Sequence, residues 1–337
     1  MKTRLFLPVL FLCCFSAVFA AGKKDSQKSQ ELVVYAYDSF VAEWGPGPEL
    51  VAKFEAKTGY KVTMLSCGDA AQALSRVVLE KNAPKGDVVI GIDNQLYSRA
   101  VEEGVLQSYK PAGADKIIRK DLRFSDDWYL TPYDWSYFAI IWDSNSSVPA
   151  PKSLADLTKE IYRKKLILMD PRLSTPGLGF VTWTKGVFGD GYKEYWNQLK
   201  PNVLTMAPGW DAGYGLFTAG EAPLVISYLT SPAYHVEYDN TDRYKALIFP
   251  EGHPVQIEGA GIIKGSKNLK AAKEFMDFLI SEEAQDVLPL TQWMYPVNEN
   301  VKLPPCYDAA PMADKTVGAG EGEVLEAVDT VLQILSN

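Results

Sequence analysis

Leu166-Ile-Leu-Met-Asp-Pro-Arg-Leu-Ser-Thr-Pro-Gly-Leu-Gly-Phe180 reads as a buried strand, a tight loop and the opening of a helix. Ser174 and Thr175 are good N-cap residues, and Pro176 suits the first helical position because it has no N–H to leave unpaired. Gly177 and Gly179 add no bulk beside whatever approaches the helix. Backbone donors, two hydroxyls and the positive end of the helix dipole together make a corner that holds a phosphate, sulfate or carboxylate without a lysine. An ordinary capped helix in an α/β domain fits the same residues, so the rest of the chain must decide between the two.

Working outward, strands and helices alternate on both sides of this corner. Leu32 to Tyr37, Tyr60 to Leu65 and Asp87 to Ile92 are β-rich runs, separated by helical segments at Glu49 to Lys57 and Asp69 to Asn82. Pro48 fits a helix start, Gly59 a helix stop, and Asp69 and Asp93 fit N-caps, so punctuation agrees with periodicity. A second series follows at Leu166 to Met169, Val203 to Met206 and Leu224 to Tyr228. The natural reading is an α/β protein with two doubly wound, parallel-sheet lobes. Tyr133 to Asp143 (YDWSYFAIIWD) is too continuous and aromatic for a loop and reads as a strand crossing from one lobe to the other. Ala246 to Phe249 and Ile257 to Ile263 are β-like, Lys267 to Ile280 is amphipathic, and Glu323 to Leu335 reads as a last helix. The expected division is residues 31–135 plus 240–297 for the first lobe and 136–239 for the second, with 298–337 packing on the second.

Lys2 and Arg4 precede an apolar run from Leu5 to Phe19, followed by Ala20 and Ala21, which is the layout of a secretory signal peptide. Residues 1–20 are expected to be cleaved near Ala20, with residues 21–30 a polar tether and the product outside the cytoplasmic membrane. Cys13 and Cys14 raise lipoprotein anchoring as a second route, although both lie within the apolar run. Cleavage removes two bases and no acid, taking the net charge from −8 to −10. That balance argues against a nucleic-acid partner, since phosphate backbones are bound by clustered Lys and Arg. Of the four cysteines, Cys67 and Cys306 remain, and one bridge or two free thiols are both open.

Ligands of a doubly wound sheet bind beyond the carboxyl ends of its strands. Those loops are aromatic here: Tyr35-Ala-Tyr-Asp-Ser-Phe40 leading to Trp44, then Gly209-Trp210, Ser227-Tyr-Leu-Thr-Ser-Pro-Ala-Tyr234 and Gln292-Trp-Met-Tyr-Pro-Val297. A single such ring is ordinary core packing; several on successive strand ends favour a flat or cationic ligand. Asp38, Asp69 and Glu258 lie in the same loops and reinforce positive charge, although Asp69 also serves as a helix cap. Ser174-Thr175 and Thr230-Ser231 suit an anionic end. The implied ligand is a flat cation with a polar or phosphorylated tail.

YAYDSF with EWGPGP, DPRLSTPGLG, PGWDAGYGLF, SYLTSPAYH and QWMYPV, in that order, closely resemble the bacterial thiamine-binding periplasmic protein family from about Leu32 to Val297. The resemblance implies a type II periplasmic binding protein fold: two lobes joined by crossing strands, with a ligand cleft between them. It implies a monomer that delivers thiamine, thiamine monophosphate or thiamine pyrophosphate to ABC transporter permease subunits, with no cofactor, catalytic residue or metal. Carried over where motifs match, Asp69, Ala70, Ser174, Thr175, Trp210, Tyr228, Leu229, Thr230 and Ser231 are ligand-contacting positions. Tyr37, Trp44, Tyr234 and Trp293 are the aromatic walls. Ala70 stands where relatives resemble one another in having glycine, so the backbone approach to the ligand differs there.

Two other classes remain in view. Thiaminase I resembles the same fold and attacks thiamine with a cysteine; Cys67, beside Asp69, would be the nucleophile here, but it does not match that enzyme residue by residue. A carrier of another small cation, such as a polyamine or ferric ion, is the second. His235 and His253 are the only histidines, and neither a Ser-His-Asp order nor a metal-ligand spacing accompanies them.

Overall fold

The computed structural model describes residues 31–336; the expected signal segment and tether lie outside the described residues. Eleven strands among these residues join into one mixed sheet. They are β1 (Glu31–Ala36), β2 (Lys61–Ser66), β3 (Val88–Asp93), β4 (Leu106–Gln107), β5 (Thr131–Asp143), β6 (Leu166–Met169), β7 (Val203–Ala207), β8 (Leu224–Tyr228), β9 (Tyr244–Ala246), β10 (Val255–Ile263) and β11 (Tyr295–Pro296). The order is β2-β1-β3-β10-β5-β8-β6-β7, with β4 on β10 and both β9 and β11 on β5.

β5 organises the sheet. Its first half, up to Tyr137, pairs antiparallel with β10, and from Phe138 it pairs antiparallel with β8. One strand therefore belongs to both lobes, as the sequence suggests. The lobes are not purely parallel, however: β1, β2 and β3 run parallel, as do β6, β7 and β8, but β5 and β10 enter antiparallel between them. The continuous apolar run of β5 is the signature of burial on both faces, which does not report strand direction.

The return path also differs from expectation. β9 ends at Ala246 and pairs with Ile141–Asp143 of β5, so the chain is still on the second lobe there; the lobe boundary expected at residue 240 falls later. Leu247 to Phe249, expected as strand, belong to the second crossing segment, residues 247–254. Its His253 is fully buried. Nε2 accepts from the Phe249 N–H at 2.9 Å, which leaves Nδ1 to donate to the Phe138 carbonyl at 2.8 Å. The neutral imidazole thus ties the return segment to β5 at the residue where β5 changes partners. Of the tail, the helix Glu321–Ser336 packs on the second lobe against the helix Thr175–Phe188. Residues 305–309 do not: Cys306 and Tyr307 pack with Trp128, Trp135 and Trp293 near the crossing strands.

Each lobe has its own apolar centre. In the first, the helices Gly47–Thr58 and Leu269–Leu279 cover the sheet through Phe54 and Phe275, whose rings meet edge to face at 5.1 Å. In the second, Phe180, Trp183 and Trp196 are buried behind β6 and β8. At about 25 cal/mol per Å² of apolar surface, such clusters dominate stability and leave the strand ends free for other work.

Candidate functional site

A cavity of about 520 Å³ lies between the lobes at the carboxyl ends of the strands, within the range of small-molecule sites. Ten of the thirteen residues singled out from the sequence line it: Tyr37, Trp44, Asp69, Ala70, Thr175, Trp210, Tyr228, Ser231, Tyr234 and Trp293. Ser174, Leu229 and Thr230 do not. Leu229 is core, and the Thr230 hydroxyl turns back to Ser136 at 3.1 Å. Ser174 is 1% exposed behind Thr175. Its hydroxyl makes no full hydrogen bond, yet it lies near enough to Asp69 to favour that carboxylate.

The opening stretch of sequence therefore works differently from its first reading. Ser174 is the N-cap in extended geometry, Thr175 takes the first helical position and Pro176 the second. The glycines face the sheet, not a ligand. A Cβ on Gly177 would stand 2.3 Å from the Met169 carbonyl oxygen, and one on Gly179 2.4 Å from the Phe138 ring. They let the helix lie against β5 and β6, which carries Thr175 and Pro176 to the cavity wall.

Four carboxylates line the cavity, Asp38, Asp69, Asp211 and Glu258, and no Lys, Arg or His does. Asp69 caps the helix Ala70–Leu79: Oδ1 accepts from the Ala70 N–H at 2.7 Å, and Gln72 reaches back to the Asp69 N–H at 2.9 Å. Its other oxygen accepts from the Trp210 N–H at 3.3 Å, across the cleft at the start of the helix Trp210–Thr218. One carboxylate thus joins two helix N-termini on opposite lobes. Burial nevertheless raises its pKa, outweighing the donors that lower it.

Glu258 forms the floor. Its Oε2 accepts from Tyr37 (2.7 Å), Tyr133 (2.6 Å) and Gln292 (3.2 Å), and its Oε1 from Gln256 (2.9 Å). Even so, burial pushes its pKa up to about 7. Tyr37 can lie flat here because β3 has a glycine beneath it: Gly91, in the left-handed region at φ 96°, would put a Cβ 2.3 Å from the Tyr37 ring.

The aromatic wall is braced from behind. Trp210 stacks on Tyr214 at 4.9 Å and 17°, and its indole N–H donates to Ser227 at 2.8 Å. The Tyr214 hydroxyl lies 2.9 Å from His235 Nε2, while His235 Nδ1 lies 2.6 Å from Asp239. That chain, buried as far as His235 and anchored at the surface by Asp239, fixes the plane of Tyr214 and so of Trp210. Trp293 meets Tyr234 edge to face at 5.3 Å; its backbone sits at φ 60°, a conformation that costs a non-glycine residue on the order of 1 kcal/mol. Trp44, half exposed, closes the mouth 6.5 Å from Trp210.

Sequence reasoning missed Tyr214, Gln292 and Asp134. Tyr214 looks like the apolar face of its helix, and Gln292 adjoins a tryptophan that takes the attention. Asp134 did carry a signal, an acid inside an otherwise apolar strand. Cys67 and Cys306 are free thiols. Cys67 does not line the cavity, and burial raises its pKa, the wrong direction for a nucleophile. Among the described residues, no three His, Cys, Asp or Glu side chains are placed to hold a metal ion, so the ferric alternative gains nothing here.

Two lobes that share crossing strands around an acid-lined aromatic cleft define a solute-binding protein. Residues 83–315 match the sequence profile described as bacterial extracellular solute-binding protein. The thiamine-binding periplasmic protein of Brucella abortus is 42% identical over 313 residues, covering 92% of each chain. That of Escherichia coli is 38% identical over 298 residues, covering 88% of this chain and 87% of its own. A solved periplasmic thiamin binding protein superposes with a TM-score of 0.87 at 35% identity, covering 93% of this chain and 98% of that one. The chain belongs to the bacterial extracellular solute-binding proteins and, within them, to the thiamine-binding periplasmic protein family.

Proposed function

We propose that this protein captures thiamine in its inter-lobe cleft and delivers it to the permease of an ABC importer, working as a periplasmic monomer exported by its N-terminal segment. The observation that carries the reading is the cavity lining: four carboxylates, no basic side chain, and the ring faces of Trp44, Trp210 and Trp293. Thiamine offers a flat aminopyrimidine and a thiazolium cation to such a site. Family membership and the superposition with a thiamin-binding structure support the same ligand.

The hydroxyethyl tail, or its phosphates, would lie toward Thr175 and the two helix N-termini that Asp69 joins. Asp69 stands between those donors, so an incoming phosphate meets a carboxylate. Thiamine should therefore bind more tightly than thiamine pyrophosphate, with the monophosphate between. Ligand would close the lobes about β5 and residues 247–254, seen as a smaller radius in small-angle scattering.

Native mass spectrometry of freshly purified protein, followed by calorimetric titration, tests the reading: a retained thiamine mass and saturable heat are expected. No retained ligand and no heat at millimolar thiamine would sink it. Consumption of thiamine in the presence of an amine would instead make the protein an enzyme. Trp44→Ala and Trp293→Ala should each weaken every thiamine form by about tenfold, since a stacking and cation–π partner contributes roughly 1–2 kcal/mol.

A further inference from the structure

The floor of the cleft holds more carboxylate than it holds compensation. Asp93 on β3, Glu258 on β10 and Asp134 on β5 stand beside one another in the sheet: Glu258 is the register partner of Asp93 on one side and of Asp134 on the other. All three are buried. Their hydrogen bonding is unequal. Asp93 accepts from the Gln95 and Leu96 N–H groups at 3.0 and 3.1 Å and from the Gln95 side chain at 3.3 Å. Glu258 has the four donors described above. Asp134 is fully buried and neither oxygen makes a full hydrogen bond, the Gln292 side chain alone lying near enough to favour its carboxylate.

The titratable groups facing this row are Tyr37 at the end of β1, Tyr133 on β5, Tyr228 on β8, Asp69 at its helix cap and Tyr307 from residues 305–309. None supplies a positive charge. Like charges opposite one another on neighbouring strands repel, and a buried carboxylate without donors or a counter-ion is costly to ionise. A neutral carboxyl at Asp134 removes both costs. Glu258 alone of the three reaches the cavity, so an incoming cation meets the row there.

We propose that Glu258 and Asp134 hold one proton between them in the empty protein and release it to solvent when the cationic ligand arrives, so that capture exchanges a cation for a proton. The exchange rests on the thiamine reading above. Charge balances: the singly negative pair loses H⁺ to become doubly negative, and the ligand's positive charge replaces it. Burial raises both carboxyl groups, Glu258 to about 7 and Asp134 well above the usual carboxylate range. Glu258 then acts as the ligand's counter-ion and Asp134 as a positioning residue behind it.

Calorimetric titration of the full chain with thiamine at pH 7, in buffers of different ionisation enthalpy, reads the released protons directly. Wild type should release about half a proton or more per thiamine, and affinity should rise several-fold from pH 6 to pH 8. Glu258→Gln and Asp134→Asn, both isosteric, should abolish most of the release; any titration of the ligand itself persists in both. Wild type that binds thiamine without releasing a proton overturns the exchange and leaves the thiamine reading intact. So do variants that release as much as wild type.

If thiamine gives no heat, the thiamine reading fails, and thermal melting of the empty protein decides the shared proton separately. A carboxyl whose pKa rises on folding contributes stability that is complete below its unfolded value near about 4.3 and is lost as the pH rises through its folded value. The empty wild type should therefore melt higher at pH 6 than at pH 8, and the difference should shrink in both variants. An equal difference in all three proteins overturns the proposal. The wild-type buffer series needs no variant to fold.

Discussion

An Asp69→Ala variant is expected to bind thiamine about a hundredfold more weakly than wild type, a loss of ~2.7 kcal/mol. Two interactions disappear together. The bond from the Trp210 N–H crosses the cleft at 3.3 Å and is charge-assisted, worth roughly 1.5–3 kcal/mol when intact. The attraction of a cavity carboxylate for a cation goes with it. Loss of the helix cap adds a stability cost of ~1 kcal/mol that does not depend on ligand. Asp69→Asn separates the cap from the rest, because the one amide oxygen can replace Oδ1 at the Ala70 N–H while the NH2 that replaces Oδ2 cannot accept from Trp210. It should keep most of the melting temperature and lose the affinity that comes from the charge and from the cleft-crossing bond. Calorimetric titration and thermal melting of both variants measure the split; an alanine variant that binds within threefold of wild type would remove Asp69 from the site.

Gly177→Ala should be the most damaging single-methyl substitution in the second lobe. The new Cβ would fall 2.3 Å from the Met169 carbonyl oxygen and 2.9 Å from the Asp170 carbonyl carbon, both backbone atoms that cannot rotate away. The helix Thr175–Phe188 must lift from β6, at a cost on the order of 3 kcal/mol and roughly 5–10 °C in Tm. It would carry Thr175 and Pro176 off the cavity wall, so ligand affinity should fall as well. Gly322→Ala is the contrasting case. Nothing lies within 4 Å of its Cβ position in the last helix, and the variant should gain about 0.5–1 kcal/mol. Differential scanning calorimetry of the pair tests whether these glycines are chosen for contact or merely tolerated.

Much of this was legible in the chain because the signals were local. Asp69 marks a helix start, Tyr133 to Asp143 is too continuously apolar and aromatic for a loop, and aromatic residues recur just after strands; each fixes a placement with no knowledge of distant residues. What was hidden depends on pairing. The antiparallel entry of β5 and β10 leaves no trace in hydropathy, since a strand buried on both faces looks alike in either direction. Gly177 and Gly179 have the composition of a ligand-binding loop and the function of a helix–sheet contact. The row Asp93, Glu258, Asp134 exists only through the register of three strands drawn from three distant parts of the chain.

That distance sets the timetable of folding. β3 finds its neighbour β10 only across some 165 residues of sequence, and β5 takes its two longest pairings from residues 224–228 and 255–260. A nascent chain ending before β10 leaves the first half of β5 and the edge of β3 that faces it, Val88 to Asp93, without the strand that joins them. The second lobe's sheet has all its strands by residue 246, whereas the first lobe's waits for β10, and that long loop must close before the sheet rewards it. The strand shared by the lobes thus keeps the first of them pliable until most of the chain has been made.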